Sequence, residues 1–240
     1  MWSKELWYAF GMIFKFIFEE NTIIFHFQFS ISPQVYNRSF AILQRGTIMG
    51  KEFELKFRAS VKQMTAIMEE YAGFREITME TVYFDTYEDA LSQRKWMLRR
   101  RMENGVAVCT LKTPGENGVR NEWEVPCDDI AAAIPELCKL GAPAELESLT
   151  AKGLTKVGSA RFTRQAALIE AEGCTVELAL DRGILQGGAR IEFLLEAEVE
   201  LKSGSQEAAV AFAQALAAKY YLIPQHTSKY RRALDLAGKD

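Results

Sequence analysis

The sequence predicts an α+β domain built on a closed antiparallel β-barrel with helices packed outside, and three observations predict it. Runs with period-two alternation recur from residue 51 to residue 202. Turn sequences, "ENG" at 103–105 and "TPGENG" at 113–118, join the middle runs as consecutive hairpins. In run after run the ionised side chains share one face and the apolar ones the other. Such a face usually meets water. Here, however, carboxylates come in i, i+2 pairs: Glu52 with Glu54, Glu122 with Glu124, Glu196 with Glu198. Like charges at that spacing repel unless a cation is shared between them. Basic residues are grouped as well, Arg99 with Arg101, a pattern suited to a polyanion. A barrel that turns its charged faces inward accommodates both and leaves no exposed edge.

Strands are expected at 51–58, 79–85, 95–102, 106–113, 119–125, 161–170, 174–180 and 190–202, with a short one at 228–232. In "KEFELKF", Glu52, Glu54 and Lys56 alternate with Phe53, Leu55 and Phe57. "RNEWEV" sets Arg120, Glu122 and Glu124 opposite Trp123 and Val125, and "CTLK" puts Thr110 beside Lys112. "LLEAEVELK" sets Glu196, Glu198 and Glu200 opposite Ala197, Val199 and Leu201, and "SKYRR" adds Lys229 and Arg231 at the same spacing. Ser60 with Gln63 reads as a capping box opening a helix over 61–71, stopped near Gly73. Further helices are expected at 129–140, stopped at Gly141, at 144–152, and at 206–220 before Pro224. Gly187 and Gly188 read as a hairpin turn. Trp96 and Trp123 lie on apolar strand faces and read as core.

Composition excludes more than it selects. The chain has 240 residues, 48% apolar and 25% charged, so it can bury a real core, and a net charge of −3 gives no global basic field for nucleic acid. Cys109, Cys127, Cys138 and Cys174 have no CxxC spacing and no nearby His, which fits reduced thiols in a cytoplasmic protein and not a zinc site. Residues 1–48 are crowded with Phe, Trp and Tyr and lack consistent periodicity. They read as an atypical extension, poorly ordered or a misassigned start, with the domain at 49–240. The apolar run from Trp7 to Phe18 contains Lys15 and falls short of the roughly 20 apolar residues of a membrane span, so no membrane partner is expected. No G-x-x-x-x-G-K-[ST] loop is present, and His26 and His226 are poorly placed for acid–base work.

"EFELKF" resembles the E-x-E-x-K signature of the CYTH domain, one of the triphosphate tunnel metalloenzymes. Further landmarks follow in order: "YFDT" at 83–86, "LRRR" at 98–101, "TLK" at 110–112, "RNEWEVP" at 120–126, "LALDRG" at 178–183, "EAEVELKSG" at 196–204 and "SKYRR" at 228–232. The resemblance covers about residues 50 to 235. It implies an eight-stranded antiparallel barrel whose tunnel holds a triphosphate compound and Mg²⁺ or Mn²⁺. By position, Glu52, Glu54, Glu122, Glu124, Glu196 and Glu198 would hold metal, and Lys56, Arg99, Arg101, Lys112, Arg120, Arg164 and Lys229 would bind substrate. Glu52, Glu54 and Lys56 would be catalytic. Arg161 and Arg231 are further possibilities, and Asp181 is either a site residue or part of an "LDRG" turn.

The resemblance implies a metal-dependent hydrolase that removes the terminal phosphate of inorganic triphosphate or a related compound. "GKEFELKF" and "ELKSG" are most similar to the inorganic triphosphatase branch. The alternatives are a class IV-type adenylate cyclase, a thiamine triphosphatase, and a non-catalytic polyphosphate-binding module. The last gives no reason to keep paired carboxylates.

Overall fold

A computed structural model describes residues 12–19, 22–29, 48–116 and 119–239, in two units, Met1–Gly46 and Thr47–Asp240. In the first, β1 (Met12–Glu19) and β2 (Thr22–Phe29) pair antiparallel. The expectation of a poorly ordered extension falls largely on residues outside those described.

The second unit contains β3 (Ile48–Glu52), β4 (Glu54–Arg58), β5 (Arg75–Asp85), β6 (Met97–Glu103), β7 (Val106–Pro114), β8 (Arg120–Pro126), β9 (Thr155–Ala171), β10 (Cys174–Gly187), β11 (Arg190–Gly204) and a short β12 (Ile223–Pro224). They form one antiparallel sheet in the order β12-β4-β11-β10-β9-β5-β6-β7-β8-β3. The strands near its two ends are consecutive in the chain. Ile48–Glu52 pairs with β8 and Glu54–Arg58 pairs with β11, while the Phe53 carbonyl between them accepts from Leu201 N at 2.9 Å. The predicted strand at 51–58 is thus two half-strands, each serving a different neighbour.

Strands β9 and β10 run longer than their alternation suggests. "LDRG" is not a turn: Asp181, Arg182 and Gly183 lie within β10, paired with Arg164, Thr163 and Phe162. Gly183 is there because the backbones crowd. A Cβ at that position would lie 2.1 Å from Arg161 O and 2.5 Å from Phe162 Cα.

Five helices are described in this unit: α1 (Val61–Glu70), α2 (Ile130–Lys139), α3 (Glu145–Thr150), α4 (Gln206–Tyr220) and α5 (Lys229–Ala237). The capping box of α1 forms, with Gln63 N donating to Ser60 Oγ and Ser60 N to Gln63 Oε1. The expected strand at 228–232 is instead the first turn of α5. Ser228 caps it by accepting from Arg231 N, and Gly238 ends it in the left-handed region at φ 74°. No described helix is long and apolar enough to cross a membrane.

Three apolar clusters hold the unit together. Helices α1 and α4 bury Met64, Ile67, Ala209, Ala213 and Leu216 against Phe57, Leu178 and Val199. Helices α2 and α3 bury Ile134, Leu137 and Leu146 against Leu98, Leu111 and Trp123. Both groups lie on the apolar face of the sheet, and each such Leu contributes about 1.5–3 kcal/mol of transfer free energy. The third cluster is different. Ala233 and Leu234 of α5 pack on Tyr83, Phe162, Leu185 and Leu194, which by alternation share a face with Arg164, Asp181 and Glu196. Not every helix is therefore outside: α5 covers one end of the charged face.

Candidate functional site

Register assembles the charged face. Tyr83 lies opposite Arg99, Arg99 opposite Thr110, and Thr110 opposite Glu124; Lys112 lies opposite Glu122, Arg120 opposite Glu52, and Lys56 opposite Glu198. Directly opposed residues project to the same side of a sheet, so side chains from seven strands share one surface.

Each i, i+2 carboxylate pair is bridged by one basic side chain. Arg120 stands 3.4 Å from Glu52 and 2.7 Å from Glu54. Arg99 stands 3.8 Å from both Glu122 and Glu124. Lys229, from α5, stands 2.8 Å from Glu196 and 2.5 Å from Glu198. The shared cation that the spacing demands is thus a side chain of the protein in all three cases.

Two sub-clusters result. In the first, Lys112 donates to Glu52 and lies 3.1 Å from Glu122. Lys56 donates to Glu54 at 2.7 Å, Thr110 Oγ1 donates to Glu124 at 2.9 Å, and Arg101 stands 3.7 Å from Glu124. In the second, Arg164 makes a bidentate contact with Asp181 at 2.7 and 2.8 Å and also donates to Glu198. Lys229 reaches Asp181 at 2.9 Å. Asp181 is therefore wholly buried among these charged groups, and is no turn residue. Glu196 is 1% exposed and takes a further contact from Arg232.

Burial and charge oppose each other at several of these groups. Burial pushes the Glu198 carboxyl up, but Lys229, Arg164 and Lys56 outweigh it and hold it well below the ordinary range. Glu52 is likewise lowered against burial by Lys112 and Arg120, and Glu124 by Arg101 and Arg99. Burial pulls Lys229 and Arg164 down, yet Asp181 and Glu198 raise both well above their ordinary values. Glu200 is the exception: burial raises it, and Lys202 compensates only in part.

Some polar atoms remain unsatisfied. Arg99 makes no hydrogen bond among the described residues; its ion pairs lie at 3.8 Å, and its Nε is buried without an acceptor, as is that of Arg101. Glu52 Oε2 and Glu196 Oε2 are buried and accept no hydrogen bond. The surface therefore has guanidinium donors in want of acceptor oxygens, while those two carboxylate oxygens are held by ion pairs alone, Glu196 Oε2 2.8 Å from Lys229 and Glu52 Oε2 3.4 Å from Arg120.

All thirteen residues assigned from the resemblance lie on this face, but the two further possibilities do not join them. Arg161 is 73% exposed at its side chain and pairs with Glu80, because it alternates to the opposite face from Arg164. Arg231 points away on α5 and pairs with Asp235 at 2.7 Å. Arg232 takes the inward position, which a strand reading of 228–232 puts on the wrong side. A helical reading would have found it, three residues from Lys229. Tyr83 was also missed. Its buried phenol is raised by burial and faces Arg99, Lys229 and Arg101, but one aromatic in an apolar-looking run carries no signal of that.

The donor set suits a hard divalent cation in kind: carboxylate oxygens, two of them accepting no hydrogen bond. Among the described residues no three His, Cys, Asp or Glu side chains gather so as to hold an ion by themselves. Mg²⁺ does not require three, since it binds through one or two carboxylates together with waters and substrate phosphates. The residues therefore fit such an ion.

Comparison with known proteins gives the chain a family. The family profile for the CYTH domain matches residues 50–234. The chain is 27% identical over 199 residues to the inorganic triphosphatase of Haemophilus influenzae, a match covering 80% of this chain and 56% of that protein. The chain thus spans a little over half the length of that curated relative. Among solved structures, a protein of Pyrococcus horikoshii OT3 superposes with a TM-score of 0.53 at 22% identity, over 77% of this chain and 98% of that one. A candidate adenylyl cyclase of Hippeastrum, for which a dominant triphosphatase activity is reported, gives a TM-score of 0.54 at 18% identity, over 80% and 97%. These two likenesses are of fold.

Proposed function

The chain belongs to the CYTH domain family, and from that premise we propose that it is a divalent-metal-dependent hydrolase removing the terminal phosphate of inorganic triphosphate or a related triphosphate compound. The observation that carries the proposal is Arg99: a half-buried side chain, 13% exposed, that makes no hydrogen bond among the described residues and whose buried Nε has no acceptor, set among Arg101, Lys112 and Arg120. Phosphate oxygens supply the acceptors it lacks, and guanidinium groups bind them bidentately. The contiguous strands β3 and β4, pairing at opposite ends of the strand order, support closure of the sheet into a barrel around that ligand.

In this reading Lys56, Arg99, Arg101, Lys112, Arg120, Arg164 and Lys229 bind and orient the phosphate chain. Glu52, Glu54, Glu122, Glu124, Glu196 and Glu198 would hold Mg²⁺ or Mn²⁺, which when bound supplies Lewis-acid neutralisation of phosphate charge. Arg120 and Lys56 keep Glu54 paired at rest. Once Arg120 turns to phosphate, the Glu54 carboxylate is free to accept a proton from an attacking water aligned with the terminal phosphorus, and Lys56 offsets charge on the departing group. Helix α5 excludes water from one end of the face.

The test is turnover by the full chain with Mg²⁺ or Mn²⁺ on tripolyphosphate, thiamine triphosphate and ATP, reading free phosphate and cyclic AMP separately. Phosphate release abolished by a chelator is expected. Cyclic AMP without phosphate overturns the assignment in favour of a cyclase, and binding without turnover in favour of a binding module.

A further inference from the structure

We propose, on the reading of the charged face as a triphosphate site, that Arg232 is a positioning residue, one that keeps a cation on Glu196 when Lys229 turns to phosphate. Glu196 differs from the other five carboxylates assigned to metal. Among the described residues each of those five is paired only with cations that would themselves bind phosphate, as Glu54 is with Lys56 and Arg120. Glu196 has Lys229 from that set, 2.8 Å from Oε2, and also Arg232, which stands outside the set and donates to Oε1.

Both cations come from α5, where a spacing of three residues turns them to one side. Arg232 is fixed in its turn. Glu192 Oε1 accepts from its Nε at 3.1 Å and from its Nη2 as well. The guanidinium thus spans Glu192 and Glu196, which alternation sets on the same face of β11. A planar fork holds two carboxylates at once, whereas an ammonium acts as a point charge. Glu196 is 1% exposed and Arg232 8%. If phosphate oxygens drew Lys229 away and Arg232 were absent, Glu196 would be a buried carboxylate with no cation, and that cost would fall on substrate binding. Arg232 removes it. It stays on Oε1, anchored by Glu192, and leaves Oε2 as the oxygen turned toward Lys229 and the rest of the charged face.

Calorimetric titration of the full chain with imidotriphosphate and Mg²⁺ tests this without turnover, because the P–N–P bridges of that compound resist hydrolysis. Arg232→Met should weaken binding at least about tenfold, the scale of one hydrogen bond to a charged group. Arg232→Lys, which returns a cation to Oε1, should regain most of the loss, and Arg231→Met should bind as the native chain does. In the Glu196→Gln background no buried carboxylate is left bare, so adding Arg232→Met should change affinity by less than about threefold; this comparison holds whether or not the single variant folds. A native chain that does not bind the compound overturns the triphosphate reading and this inference together. Binding by the native chain that Arg232→Met leaves unchanged, that Arg232→Lys does not restore, that Arg231→Met weakens equally, or that Arg232→Met weakens tenfold even beside Glu196→Gln overturns the role of Arg232 and leaves the reading of the site standing.

Discussion

Removing Lys229 should blunt the acid loss of stability, because this ammonium is the meeting point of three carboxylates. Its Nζ lies 2.9, 2.8 and 2.5 Å from Asp181, Glu196 and Glu198, and the first two of those residues are essentially buried. Lys229→Met keeps a side chain of similar length and deletes the charge, together with the ammonium's approach to the Phe162 ring at 5.5 Å. Leaving a buried charge unpaired costs about 3–5 kcal/mol. At roughly 2–4 °C per kcal/mol for a unit of this size, the melting temperature at neutral pH should fall by about 6–20 °C. In the native chain Glu198 is held below its ordinary value, so the unfolded state binds more protons at acid pH, and stability is lost as pH falls through the folded value. In the variant Glu198 loses the largest charge that opposes its burial and moves up, while Arg164 and Lys56 still hold it down, so the folded state takes up protons earlier on acidification and the acid loss of stability is shallower. Urea unfolding at several pH values measures both slopes. A loss below about 1 kcal/mol, or a variant acid slope as steep as the native one, refutes the assignment of Lys229 as a buried counter-ion.

Four further outcomes follow from the same geometry. Glu54→Gln and Glu198→Gln should each lower the rate of phosphate release by at least about a hundredfold, the scale of one lost electrostatic group, measured under saturating Mg²⁺. On α5, Arg231→Ala should change unfolding free energy by no more than about 0.5 kcal/mol, whereas Arg232→Ala, which strips a guanidinium from buried Glu196, should cost about 3 kcal/mol; chemical denaturation separates them. Gly183→Ala should destabilise by about 1–3 kcal/mol or more, because its methyl group meets backbone atoms of β9 that cannot swing aside. For the native chain, stability should be flat through neutral pH. It should decline below about pH 4.3 as Glu52, Glu124 and Glu198 protonate, and again above about pH 8.5, where the Cys109 thiol, kept protonated by burial in the folded state, ionises in the unfolded one.

The strands were legible where one face had to be charged and the other apolar, as in "EFELKF" and "RNEWEV". The thirteen site residues follow from that alternation together with the landmarks. What alternation cannot see is interruption. Phe53 keeps the period across the junction of two half-strands, so nothing in the residues says that the chain changes neighbours there. Gly183 looked like a turn because a glycine after Asp and Arg usually is one; its need for close backbone approach depends on β9, more than ten residues away in sequence. The C-terminal helix was hidden differently. Lys229 and Arg231 fit a period of two, while the signs of a helix, Ser228 at one end and Gly238 at the other, span eleven residues and show only when the whole segment is weighed. That error exchanged Arg232 for Arg231.

The bridged carboxylate pairs make a stronger argument about ligands than either charge alone. An anion that takes Arg120 leaves Glu52 and Glu54 at i, i+2 spacing, with Glu52 buried and both deprived of the cation between them. The same holds for Arg99 with Glu122 and Glu124, and for Lys229 with Glu196 and Glu198. Every phosphate oxygen bound at the expense of such a bridge exposes a like-charge repulsion that was previously masked. A polyanion arriving alone would therefore bind against rising electrostatic resistance. One arriving with divalent cations replaces each displaced side-chain charge with another and leaves the balance of the face intact. On the proposed reading, the side-chain cations that bridge the carboxylates before any substrate is present are what a divalent ion arriving with the polyanion would replace.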